Sequence, residues 1–170
     1  MYNLDKLEKI LNEKVISLEE TSYGITNKNY IITTDNNKYF YRTSKDSTSI
    51  VNKNNEKEAI SLLADEDYFL KPIFFNNDNL ITEFQPNPKT FISQRKLSSI
   101  IRIGKLLNNF HSKKFQAEHM FDPVKQFYNY YNQIDEKQNI LEQYLYIIAN
   151  FKEFYEPDRL CHNDLVEGNF

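Results

Sequence analysis

The sequence predicts an α+β fold in two parts, a sheet-rich first half and a mainly helical second half. Short runs of β-branched and aromatic residues, which are typical of strands, dominate the chain up to Phe84. After Pro86 and Pro88, apolar residues recur at helical spacing instead. The chain has 170 residues, 40% of them hydrophobic, which is enough to bury a core without disulfides. This pattern predicts two lobes with a cleft between them.

The first half is predicted to contain five antiparallel strands and one inserted helix. A short amphipathic helix over residues 2–13 precedes them, since its leucines and isoleucine share one side. The turn-forming run Asp35-Asn36-Asn37 separates two strand-like runs and predicts a hairpin. The strands are expected at 15–18, 29–34, 38–42, 68–75 and 79–84, and the inserted helix at 50–64.

The second half is predicted to be helical over residues 97–111, 123–133 and 136–154. Pro157 is expected to end the last helix, and residues 159–170 are expected to form a strand and loop that return to a site. We therefore place the first lobe at 1–84, a linker at 85–96 and the second lobe at 97–170.

Composition and charge exclude several classes of protein. A net charge of -3 and a pI near 5.7 do not suggest the broad basic surface that binds nucleic acid. The single cysteine, Cys161, has no partner for an internal disulfide and is predicted to be a small buried residue. Without an apolar signal segment or spanning run, the chain is expected to be cytoplasmic and not to insert into a membrane. The oligomeric state stays open.

The last ten residues, CHNDLVEGNF, carry the residues most suited to catalysis. Asp164 and Asn169 flank a loop that contains Gly168, so both polar side chains can turn toward one centre. A carboxylate can orient a hydroxyl and accept its proton, and an amide oxygen suits Mg²⁺. Phosphoryl transfer needs both roles. The alternative is an Asx-rich turn whose side chains bond only nearby backbone.

The run His162-Asn163-Asp164 followed by Asn169 resembles the HxDxxxxN catalytic loop of aminoglycoside phosphotransferases and choline kinases. The full segment is most similar to choline/ethanolamine kinases, including their LicA-like branch. This resemblance implies a protein-kinase-like bilobal fold, with Asp164 as catalytic base, Asn169 as metal ligand and His162 as structural support. It also implies ATP and Mg²⁺ as cofactors, with choline or a similar small amino alcohol as the acceptor.

A second motif, GITNKNY, starts at Gly24 between the first two predicted strands. A hairpin with a glycine and short polar side chains can bring N–H groups near phosphate oxygens. Without a resemblance, the favoured interpretation of the run is an ordinary hairpin turn. It resembles the Gly-x-Thr-Asn-x-Asn-Tyr nucleotide loop of LicA-like kinases. The resemblance implies that Gly24, Thr26, Asn27 and Asn29 contact ATP.

Arg42 ends a predicted strand, where its guanidinium could bridge two phosphate oxygens. The resemblance implies that it binds the α- and β-phosphates. Residues 52–56 resemble the family's N-R-x-x-E segment, with Lys53 in place of the usual arginine. We predict that Glu56 orients Arg42, with Glu58 as the fallback. The alternative is a solvated charged helix face.

Glu83 and Phe84 end the fifth predicted strand, in the position of a kinase hinge, and their backbone is expected to meet adenine. Residues 1–84 would then be the nucleotide-binding lobe. The resemblance also implies a second acidic metal ligand downstream of Asn169, so we expect a C-terminally truncated chain with an incomplete site and little activity. The alternatives are an aminoglycoside- or thiamine-type kinase, or a truncated nucleotide-binding module.

Overall fold

The computed structural model describes residues 3–21, 27–44, 53–134, 139–151 and 153–161. Within these ranges it confirms the predicted α+β class and the five-stranded antiparallel sheet. A 3₁₀ helix, Phe91–Gln94, precedes the later helices. The other elements, in chain order, are α1 (Leu4–Leu11), β1 (Val15–Thr21), β2 (Asn27–Thr34), β3 (Lys38–Ser44), α2 (Lys53–Leu63), β4 (Pro72–Phe75), β5 (Asn79–Glu83), α3 (Leu97–Ser112), α4 (Pro123–Tyr131) and α5 (Asn139–Phe151).

The strands lie in the order β1-β2-β3-β5-β4, and every neighbouring pair is antiparallel. β2 and β3 form the predicted hairpin, which is closed by the Thr34 N–H donating to the Asn37 carbonyl at 2.9 Å. β5 lies between β3 and β4, so the chain crosses over after α2 before it forms the last two strands.

One face of the sheet carries the buried core. Successive side chains of a strand point to opposite faces, and the alternate residues of β2 and β3 are buried. α1 covers this face because its Leu7 and Leu11 pack in the same apolar cluster as the strands. The strand residues of that cluster are Tyr30, Ile32, Tyr39, Tyr41 and Ile81.

Several predicted boundaries differ from the structure by a few residues, most of all the start of β4. The strand predicted over 68–75 begins only at Pro72, because the chain leaves α2 through consecutive turns. In these turns the Glu66 N–H donates to the Leu63 carbonyl at 3.0 Å, and the Phe69 N–H donates to the Glu66 carbonyl at 2.9 Å. The helix predicted from residue 50 is described from Lys53 onward, and residues 50–52 lie outside the described ranges.

The described residues up to Ile101 form one compact unit, and those from Arg102 onward form a second. In the second unit, α4 begins with Asp122 as its N-cap, whose carboxylate accepts from the Lys125 N–H at 2.9 Å. α4 packs against α5, and the Tyr155 hydroxyl donates to the Phe121 carbonyl at 2.5 Å.

One expectation for the end of the chain is wrong, and another falls mostly on residues outside the described ranges. Cys161 is exposed, so its predicted burial is wrong, because it lies in an irregular stretch outside the described helices and strands. No strand forms over 159–161, and residues 162–170 lie outside the described ranges.

Large apolar side chains of the helices are exposed, among them Leu97, Ile100, Tyr146 and Ile147. In the part of the chain that the structure describes, no helix has the length and apolar character to cross a membrane.

Candidate functional site

The register of β2 on β3 brings two of the predicted motifs together. Asn29 lies directly opposite Arg42, and Asn27 lies directly opposite Ser44. Directly opposed residues of an antiparallel pair point to the same face. All four are half-buried and alternate with the core residues, so they occupy the sheet face away from α1. The polar end of this face, formed by these four residues, is the candidate site and is called the polar face below.

The Arg42 side chain forms an ion pair with Glu56 in the first turn of α2, through Nη2 and Oε1. This confirms the predicted pairing of these two residues. The two side chains are 29% and 30% exposed, so the pair is neither sealed in the core nor fully solvated. A guanidinium has five N–H donors, so one contact to Glu56 leaves Arg42 able to bind a further anion.

A second contact joins the same strand and helix. The Lys53 ammonium donates to the Ser44 hydroxyl, one helical turn before Glu56 and two strand residues after Arg42. α2 therefore lies on the polar face, opposite to α1. Sequence reasoning noted Lys53 only as a departure from the family pattern and missed its contact with Ser44. The available signal was the spacing of polar residues, which lie two apart on β3 (Arg42 and Ser44) and three apart on α2 (Lys53 and Glu56).

The predicted hinge residues lie at the end of β5. The Glu83 N–H donates to the Lys71 carbonyl at 3.2 Å, so this donor is already engaged within the first unit. The Glu83 carbonyl accepts from the Thr82 hydroxyl at 3.2 Å, and a carbonyl oxygen has a second lone pair that adenine could use. Phe84 follows immediately, after the strand has ended. The role of both residues stays a prediction.

Five predicted site residues lie outside the described ranges: Gly24, Thr26, His162, Asp164 and Asn169. Their roles therefore stay predictions. Within the described ranges, no group of three or more His, Cys, Asp or Glu side chains could hold a metal ion.

Sequence reasoning missed a cluster around Glu13, in the segment between α1 and β1. The Glu13 carboxylate accepts hydrogen bonds from the side chains of Thr34, Asn37 and Tyr39, the last two at 2.8 Å. The bonds from Thr34 and Tyr39 are the main reason that the pKa of Glu13 is lowered. The cluster lies at the turn end of the β2–β3 hairpin and holds the chain after α1 against it.

No protein-family model and no curated protein matches the chain. Solved structures of small-molecule kinases, however, have the same protein-kinase-like fold. The choline kinase LicA from Streptococcus pneumoniae matches 98% of this chain with a TM-score of 0.76 and 22% identity. LicA in complex with AMP matches it with a TM-score of 0.77 and 24% identity.

Two other solved kinases extend this comparison. A Plasmodium vivax ethanolamine kinase matches 96% of the chain with a TM-score of 0.71 and 23% identity. A spectinomycin phosphotransferase in complex with ADP and spectinomycin matches 99% with a TM-score of 0.56 and 14% identity. The chain spans 62% of the length of LicA in complex with AMP and 55% of the length of the ethanolamine kinase. These likenesses establish the fold.

Proposed function

We propose that the chain belongs to an ATP-dependent phosphotransferase that transfers the γ-phosphate to choline or a similar small amino alcohol. Residues 1–84 bind the nucleotide, residues 85–96 form the hinge, and residues 97–170 contribute the catalytic loop. The greater similarity to LicA, with a TM-score of 0.77, than to the spectinomycin phosphotransferase, with 0.56, favours choline over an aminoglycoside.

One observation carries the proposal, the pairing of Arg42 with Glu56 on the face where Asn29 lies opposite Arg42. A carboxylate that holds one side of a guanidinium directs its remaining donors, so Arg42 can bind two phosphate oxygens. Asn29, directly opposite Arg42, adds a side-chain amide on the same face of the sheet. Phosphoryl transfer depends mainly on such positioning and on neutralising the charge of the phosphates.

The remaining roles belong to residues outside the described ranges. Asp164 is proposed to orient the acceptor hydroxyl and take its proton, and Asn169 to offer an amide oxygen to Mg²⁺. His162 supports the loop that carries them. Gly24, Thr26 and Asn27 contact the phosphates, and the backbone at Glu83 and Phe84 contacts adenine.

Calorimetric titration of the chain with Mg-ATP tests the nucleotide half of this proposal. We expect the wild-type chain to bind ATP and Arg42→Ala to weaken binding about tenfold to a hundredfold, because charge-assisted hydrogen bonds are lost. Arg102→Ala, on an exposed part of α3, is the matched control and should leave affinity unchanged. A wild-type chain that binds no ATP would contradict the proposal.

The acceptor is tested by measuring ADP release with choline, ethanolamine, spectinomycin and thiamine. Both this chain and a form extended beyond Phe170 should be assayed, since the chain spans only part of the solved kinases. Choline or ethanolamine should give the fastest release. Transfer only to spectinomycin or thiamine would favour the alternative acceptor classes, and ATP binding without transfer in either form would favour a nucleotide-binding module.

A further inference from the structure

We propose that Lys53 and Ser44 are positioning residues for Arg42, because their contact sets where α2 lies along β3. This inference rests on the proposed function, in which Arg42 binds phosphate. Lys53 and Ser44 form one contact between helix and strand, and Glu56 and Arg42 form a second.

The spacing of the two elements allows both contacts at once. Arg42 and Ser44 are two residues apart on β3, so they share a face and lie about 6.7 Å apart along the strand. Lys53 and Glu56 are three residues apart on α2, so they share a face about 4.5 Å apart along the helix. Together the two contacts restrain the rotation of α2 and its position along β3.

The backbone of Ser44 is fixed within the sheet. Its N–H donates to the Asp78 carbonyl at 2.9 Å, in the turn between β4 and β5. On its other side it pairs with Asn27 of β2. The Ser44 backbone is therefore held on both sides, so the residue that Lys53 contacts is a fixed part of the sheet.

Loss of the Lys53–Ser44 contact should loosen Glu56 and so free the Arg42 guanidinium to move. NMR detects this without any nucleotide, through the solvent-exchange rate of the Arg42 side-chain N–H, assigned with Arg42→Lys. We expect exchange to be several-fold faster in Ser44→Ala and Lys53→Met, with Lys53→Arg restoring the slow rate. Lys57→Met, on the exposed side of α2, is the matched control and should leave it unchanged. Unchanged exchange in Ser44→Ala and Lys53→Met would overturn the inference.

ATP affinity separates positioning from direct contact. Ser44→Ala and Lys53→Met should each weaken binding about two- to tenfold, the range expected for one hydrogen bond. Neither should weaken it further when Arg42→Ala is already present, because they act through Arg42. An equal loss in that background would show that Lys53 contacts the nucleotide itself, which overturns a positioning role. If the wild-type chain binds no ATP, the proposed function fails and the exchange rates alone decide this inference.

Discussion

The Tyr39 phenol donates a hydrogen bond to the Glu13 carboxylate at 2.8 Å, and so joins the segment after α1 to β3. The hydroxyl of Thr34 and the amide of Asn37 donate to the same carboxylate. These bonds lower the pKa of Glu13 from its ordinary value of 4.5. Burial, together with the bond to Glu13, raises the pKa of Tyr39 above 10.0.

Glu13→Gln should destabilise the chain at neutral pH and make less difference in acid. A carboxyl group whose pKa is lowered by folding contributes stability above its unfolded value, 4.5 here, and that contribution is lost as pH falls through the folded value. Urea unfolding midpoints at about pH 7 and about pH 3 measure the change. Glu20→Gln, at an exposed position of β1, is the control. A deficit in Glu13→Gln of equal size at both pH values would refute the account.

Tyr41→Phe should destabilise the fold without affecting the candidate site. The Tyr41 hydroxyl donates to the Asn79 side-chain oxygen at 2.7 Å, and both residues are buried. Removing the hydroxyl takes a donor from a buried acceptor, at a cost of about 1–3 kcal/mol in the free energy of unfolding. Urea unfolding measures this, with Tyr146→Phe on exposed α5 as the control. ATP affinity should be unchanged because Tyr41 points to the α1 face, and a large loss of affinity would contradict that placement.

Ile32→Ala should be much more destabilising than Ile16→Ala, although both remove the same atoms. Ile32 is 0% exposed in the core beneath α1, whereas Ile16 on β1 is 66% exposed. Truncating a buried isoleucine costs about 2–5 kcal/mol, whereas an exposed one costs about 0.5 kcal/mol or less. The difference between the two urea midpoints checks the assignment of faces. Similar midpoints would mean that the assignment of the buried face of β2 is wrong.

Arg42→Lys should weaken ATP binding about tenfold, because lysine keeps the charge but loses the planar set of donors that binds two oxygens. Glu56→Gln should also weaken binding, since the neutral amide holds the guanidinium less firmly. Glu58→Gln tests the fallback partner and should have no effect. Calorimetric titration with Mg-ATP measures all three variants. Should Glu58→Gln prove more harmful than Glu56→Gln, the pairing seen here would not be the one that supports nucleotide binding.

Local patterns in the sequence account for much of the fold. The alternation in β2 and β3, the turn between them and the helical spacing after Pro88 each predict an element that the structure contains. The pairing of Arg42 with Glu56 was implied by the resemblance of residues 52–56 to the N-R-x-x-E segment, and the structure supplies the contact. The late start of β4 at Pro72 could not be predicted in this way. Residues 68–71 have the composition of a strand, but the chain is still leaving the turns that follow α2. The acceptor role of Glu13 leaves no local signal, since its donors come from the β2–β3 hairpin.

The sequence alone determined most of the segments that form helices and strands and which side of each is apolar, because these depend on residues close together in the chain. Only the tertiary structure decided which residues face one another. The opposition of Asn29 and Arg42, the contact of Lys53 with Ser44, and the place of β5 between β3 and β4 depend on register and chain crossover. Register depends on turn geometry and on which face of the paired strands is buried, and neither can be read from one segment alone, so these relationships appear only when the strands have paired.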